Sequence, residues 1–192
     1  MLTKELQETI SFAVDEAVRR KHEYVTLEHL LYALLDDSTA RDILYNCGAN
    51  LEEIAGFLDD YFEDTLEKIP GNVQQMPELT STFQSTVQYA ILQAEGSGQR
   101  AVNGGNILAA IFQAEQSYAV YALAQQGVTR LDVLNYISHG ISKIEPLGET
   151  FSDDLEAEEF AEERAAGGKR KNRSNLSRLN WLPKPQKARL TR

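Results

Sequence analysis

What most constrains the fold of this chain is that its first part is written twice. Thr9, Ile10, Phe12, Ala13, Val14 and Ala17 return as Thr86, Val87, Tyr89, Ala90, Ile91 and Ala94, 77 residues on. Leu30, Leu31, Ala33 and Leu34 meet Ile107, Leu108, Ala110 and Ile111 at the same offset. A two-residue insertion brings Leu44 and Gly48 onto Leu123 and Gly127, and a further single insertion brings Leu51 and Ile54 onto Leu131 and Leu134. Each copy holds a stretch that is apolar nearly all round, residues 26–35 and residues 103–112, which a solvent-facing helix does not tolerate. Thr26 and Asn103 stand at the two N-cap positions, and Glu28 lies in the first turn, where the helix dipole favours a negative charge. A separate unit of about 65 residues is marginal in water. The two copies are therefore expected to pack on each other with approximate two-fold symmetry around one core.

Helical spacing of Leu6, Ile10, Ala13, Val14 and Ala17 predicts a first helix over residues 4–20, followed by a short connector at 21–25. Asp36-Asp37-Ser38 ends the central helix and caps a third over 39–46, stopped at Gly48. Asn50 caps a fourth, with Glu53 three residues on in a capping-box arrangement. Residues 63–79 contain Pro70-Gly71 and Pro77 and are assigned as a linker, after which the four-helix pattern repeats. The expectation is an all-α domain of eight helices, two tandem four-helix units, over residues 1–143.

Charge divides the 192 residues sharply. Residues 1–168 hold all 29 acidic groups and ten basic ones, a charge of −19, whereas residues 169–192 hold nine basic groups and no acid. An acidic body argues against nucleic-acid binding by the folded part, because such affinity rests on neutralising phosphates. It suits a basic protein partner. No apolar run approaches the roughly 20 residues of a membrane span, and the N-terminus lacks the pattern of a signal peptide. Cys47 is the single cysteine and falls among apolar helix positions, so the natural setting is a reducing cytoplasm and Cys47 is a small buried hydrophobe.

Candidate chemistry is sparse. His22, Glu28 and His29 form one ligand-like cluster, but the histidines are seven residues apart across a loop-to-helix junction, not one turn apart as on a zinc-protease helix. Gly104-Gly105 is too short to cradle a phosphate, no G-x-x-x-x-G-K-[ST] string occurs, and His139 suits a helix C-terminus. These residues give no catalytic group, no metal site and no cofactor.

Two strings carry a resemblance. They are His22-Glu23-Tyr24-Val25-Thr26-Leu27-Glu28-His29-Leu30-Leu31 and Arg130-Leu131-Asp132-Val133-Leu134-Asn135-Tyr136-Ile137-Ser138-His139-Gly140. Residues 1–143 resemble the Clp amino-terminal (Clp repeat) domain of AAA+ unfoldases, and the ClpA type in particular. The resemblance implies a mobile, non-catalytic front module of a chaperone in protein degradation. Such a module receives unfolded or N-degron substrates and docks the adaptor ClpS, and it meets the ClpP peptidase only indirectly, through ATPase modules. It also implies an adaptor-facing surface including His22, Glu23, Glu28 and Thr80, with Arg130 a further polar position, on a monomeric domain. Basic residues usual in the family around Thr80 to Tyr89 are replaced here by Ser85 and Tyr89.

Residues 144–168 are acidic and poorly apolar, as in a flexible linker. Residues 169–192 turn abruptly basic, which leaves a second function open: a scaffold whose disordered tail binds nucleic acid or regulates. A shifted reading frame is a further account of that tail. Taking each codon's third base with the next two from Leu179 to Arg192 permits ELAAKAAKGKIDP, close to the opening of the family's first ATPase module. On that account the chain is a truncated unfoldase subunit that keeps its receiving domain and has lost its motor.

Overall fold

The structure, a computed structural model, describes residues 1–70 and 76–144. Apart from Ile144, the expected linker and basic tail lie outside the described residues. In chain order the elements are α1 (Lys4–Arg20), β1 (Tyr24–Val25), α2 (Leu27–Leu34), α3 (Ser38–Asn46), α4 (Leu51–Asp64), β2 (Glu78–Leu79), α5 (Ser81–Gly96), α6 (Gly104–Ile111), α7 (Tyr118–Gln125) and α8 (Arg130–His139). The all-α, eight-helix architecture is as the repeat implied. Side chains of Thr3, Asp37, Asn50, Thr80, Asn103, Ser117 and Thr129 accept backbone N–H groups at the starts of their helices. Gly48 and Gly127, paired by the repeat, both take the left-handed conformation (φ 82° and 67°) that ends a helix.

The two copies are interlocked rather than merely apposed. Within each, the first helix packs on the central one, α1 on α2 and α5 on α6. Across the copies, α2 and α4 pack on α7, while α6 and α8 pack on α3. Leu31 and Leu108 are both fully buried. The backbone repeats this exchange: Thr80 N–H donates to Val25 C=O (3.1 Å), and Thr3 N–H donates to Val102 C=O (2.9 Å). Leu2, Thr3 and Val102 are the 77-residue counterparts of Leu79, Thr80 and Val25. Leu2 and Val102 form a parallel bridge that mirrors the parallel β1–β2 pair.

Three sequence-based assignments need correction. β2 lies inside the stretch assigned as linker, and α4 runs on to Asp64. β1 likewise occupies part of the expected connector. The final single insertion in the repeat is absent. Ala49 and Val128 donate alike to Leu44 and Leu123, and the buried partner of Ile54 is Val133. Leu131 is 65% exposed, so its apolar character misled the alignment by one residue.

At the interlock each third helix has a carboxylate at its N-terminus, but the two come from different places. Asp37 accepts from Ala40 N–H (2.9 Å) and from the Thr9 hydroxyl (3.1 Å). In the second copy Gln116 takes the place of Asp37, and the Glu28 carboxylate reaches across to accept from Ala119 N–H (3.2 Å). The room that Glu28 fills in one copy is closed in the other, where Asp37 and Ile43 press on Gly104 and Gly105. A Cβ on Gly104 would stand 2.1 Å from Asp37 Oδ1. Gly104→Ala must therefore displace Asp37 and is expected to cost about 2–4 kcal/mol. Gly56 sits mid-α4 with nothing within 4 Å of its missing Cβ. Gly56→Ala is expected to stabilise by about 0.5–1 kcal/mol. Urea unfolding of both variants checks the contrast; equal effects would contradict it.

Candidate functional site

The residues that the sequence singled out gather where β1 runs into α2, but they do not share one environment. His22 and His29 are both buried. Thr26 N–H donates to His29 Nδ1 (3.1 Å), which leaves the His29 hydrogen on Nε2, and Nε2 lies 2.8 Å from His22 Nδ1. His22 then carries its own hydrogen on Nε2, a buried atom near the Phe62 backbone with no partner at hydrogen-bonding geometry. The Phe62 ring stacks on His29 at 4.5 Å, and the Arg20 guanidinium lies 4.7 Å from the same ring's centre. Arg20 is anchored by Glu16 (2.6 Å) and Asp59 (2.5 Å), tying α1 to α4. Burial, with the Arg20 charge nearby, lowers the pKa of both imidazoles, and for His29 the depression reaches about 3.

Glu28 was expected on an adaptor-facing surface, but it is 5% exposed and its carboxylate is committed to the start of α7. His22 is likewise interior, at 1%. The Glu28 carboxylate ties α2 to α7 across the two copies, whereas the neutral His22 ring packs on His29 and Phe62 within its own copy. Glu23 and Thr80 are half-buried and stand at opposite ends of the parallel β1–β2 pair, Glu23 just before β1 and Thr80 just after β2. Glu78 N–H donates to Glu23 C=O (3.0 Å). The Thr80 hydroxyl donates to Val25 C=O (3.2 Å) while accepting from Phe83 N–H (3.3 Å). Beside them Tyr24 and Leu79 are exposed. Arg130 stands apart in the first turn of α8, exposed and without an ion pair among the described residues. A cation gains nothing from that end of the helix dipole, so helix stability does not explain it.

Among the described residues no group of three or more His, Cys, Asp or Glu is placed to hold a metal ion. Cys47 is buried, and burial pushes its thiol up to about 11, away from a reactive thiolate. No helix among the described residues is long and apolar enough to cross a membrane. A hollow of about 530 Å³ opens between α1, α3 and α4, with Phe12, Tyr32, Leu51 and Ala55 as apolar lining and Asp15, Arg41 and Glu52 among its charged groups. Two features escaped the sequence reading. The contact between the two histidines had no signature beyond their presence, whereas Tyr118 and Tyr121 were visible as a pair one helical turn apart.

The fold is a double helical repeat interlocked around one apolar core. The chain belongs to the Clp repeat (R) N-terminal domain family, whose family model matches residues 1–126. It is 37% identical over 146 residues to a "ClpA homolog protein" of Fuscovulum blasticum, a match that covers 76% of this chain and 18% of that relative's length. The N-domain of ClpV from Vibrio cholerae shares the fold, with a TM-score of 0.59 at 21% identity over 74% of this chain and 87% of that one. So does a ClpV N-domain solved in complex with a VipB peptide, with a TM-score of 0.57 at 21% identity over 72% of this chain and 85% of that one. The family's N-terminal domain is a binding domain rather than a catalytic one.

The buried histidines give the fold an acid limit. Both are held neutral when folded and take a proton readily when unfolded, so the unfolded state gains protons first as pH falls below 6.5. Stability is full above pH 6.5 and is lost progressively toward pH 3, with His29 alone costing about 2 kcal/mol at pH 5. Urea unfolding at pH 7.5 and pH 5 measures this loss. His29→Gln is expected to be weaker at pH 7.5 yet to lose less on acidification. A wild-type chain equally stable at both pH values would contradict the account.

Proposed function

We propose that this domain docks the adaptor ClpS and, through it, receives N-degron substrates for a ClpA-type unfoldase. The observation that supports this reading best is that exposed Tyr24 and Leu79 lie on the two short paired strands, with Tyr24 opposite Glu78 and next in sequence to Glu23. Large apolar groups held in water on a backbone-pinned ladder, next to a carboxylate, are ready for a partner at little ordering cost. Glu23 and Thr80 contact the adaptor, and Arg130 supplies a second polar contact from α8. His22 and Glu28 keep that surface in place from inside. The ClpV N-domain complex with a VipB peptide supports a receiving role in the same fold. Unfolded segments of substrate lay apolar side chains into the hollow over Phe12 and Leu51. The domain itself carries no catalysis. Unfolding and delivery to ClpP belong to parts of the ClpA homologue that this chain, spanning 18% of that relative, does not align with.

Calorimetric titration of the chain with ClpS tests this. Saturable binding is expected, weakened about 5–20-fold by Glu23→Lys, the effect of losing a charge-assisted contact. Glu23→Lys should leave the urea midpoint unchanged. Glu28→Gln should act the other way, weakening the fold by about 1–3 kcal/mol through loss of the charged acceptor at Ala119. No saturable binding up to about 100 µM, or binding unchanged by Glu23→Lys, would contradict the reading.

A further inference from the structure

The α4–α7 face carries three tyrosines, of which Tyr61 and Tyr118 pack at the edge of the core and Tyr121 stands exposed. Tyr61 and Tyr118 stack with ring centres 4.5 Å apart and planes 14° from parallel, and Tyr121 lies 5.2 Å beyond Tyr118. Tyr61 and Tyr118 are half-buried, and Tyr121 is 50% exposed. The repeat offers an internal control. At the symmetry-related place, 79 residues away, α3 and α8 present Thr39 and Asp42 with Gly140 in place of Tyr118, Tyr121 and Tyr61. That helix pair carries one ring, Tyr136, whose hydroxyl donates to Asp42 (2.8 Å), so the stacked tyrosine ledge belongs to one copy alone.

Its electrostatic setting is one-sided. α4 carries six carboxylates and no basic residue, and α7 carries no charge at all. Asp59 and Glu63 are paired with Arg20, and Glu63 with Lys68. Asp60, next to Tyr61 in sequence, and Asp64, one turn further on, make no ion pair among the described residues. Asp60 is near enough to Tyr118 for its charge to be felt there.

We propose that the ledge of Tyr61, Tyr118 and Tyr121 docks a cationic polypeptide segment of another protein, with Arg or Lys side chains over the ring faces and within reach of Asp60 and Asp64. Tyrosine faces attract a guanidinium or ammonium, and the two carboxylates supply the opposite charge. An acidic segment is repelled by the same groups, and a purely apolar one would strip water from carboxylates and give nothing back. The surface uses neither Glu23 nor Thr80, so it stands or falls independently of the adaptor reading.

The test uses the full chain and a synthetic 15-residue peptide with four arginines spaced by alanine and leucine, against a counterpart with glutamate at those four positions. Amide chemical-shift mapping is expected to show saturable binding of the arginine peptide, with shifts centred on α4 and α7. Affinity should fall at least fivefold in Tyr121→Ala and in Asp60→Lys, recover in Tyr121→Phe, and weaken as salt is raised. Tyr121 and Asp60 are exposed, and an unchanged urea midpoint would show the variants folded. Shifts centred elsewhere, equal binding of the glutamate peptide, variants that bind like wild type, or self-association that covers the ledge would each overturn the proposal.

Discussion

Each repeat's central helix lies on the other repeat's third helix, and everything else in the molecule depends on that exchange. A helix such as α2, with seven of its eight residues buried, has no face to give to water. Its own first helix covers one side, and α4 together with α5, α6 and α7 of the other copy covers what is left. The reverse holds for α6 on α3. Burying a single leucine fully is worth about 1.5–3 kcal/mol. Leu30, Leu31, Leu34, Ile107, Leu108 and Ile111 are all fully buried, so separation of the copies would forfeit much of a typical domain's net stability. The extended residues Val25 and Val102 lock the same exchange through the backbone.

Symmetry in the core sets off asymmetry elsewhere. Where both copies must satisfy one physical demand, a negative group at the start of the third helix, they do so differently. Asp37 serves its own helix, whereas Glu28 serves α7 from across the seam. Gly104 and Gly105 are the complement of that choice, because the space is already taken by Asp37 and Ile43. Departures of this kind inside the core are compensations. Departures on the surface, such as exposed Tyr121 or Arg130 without an ion pair among the described residues, show no such compensation.

The fold was legible in the sequence because duplication is a long-range signal, and the residues that carry it are core residues under the same constraint twice. Apolar periodicity placed α1 at residues 4–20, and caps such as Asn50 and Asn103 marked starts to within a residue. Two-residue strands carry no periodicity, so β1 and β2 could emerge only from the tertiary exchange. The one-residue slip at α8 came from Leu131, apolar but in water, which outweighed the quieter match of Val133 with Ile54. For the candidate site, no local signal in the sequence showed that His22 and Glu28 are buried. Glu28 looks like an ordinary first-turn acid, and nothing local reveals that its carboxylate crosses to a helix 91 residues away.

The claim that the two copies stand or fall together is tested most directly by making residues 1–75 and 76–144 as separate polypeptides. Each alone should show weak helical circular dichroism and no cooperative urea transition, and an equimolar mixture should recover the helical signal and a single transition. A half that folds cooperatively by itself, with the mixture no more stable than its parts, would contradict the account.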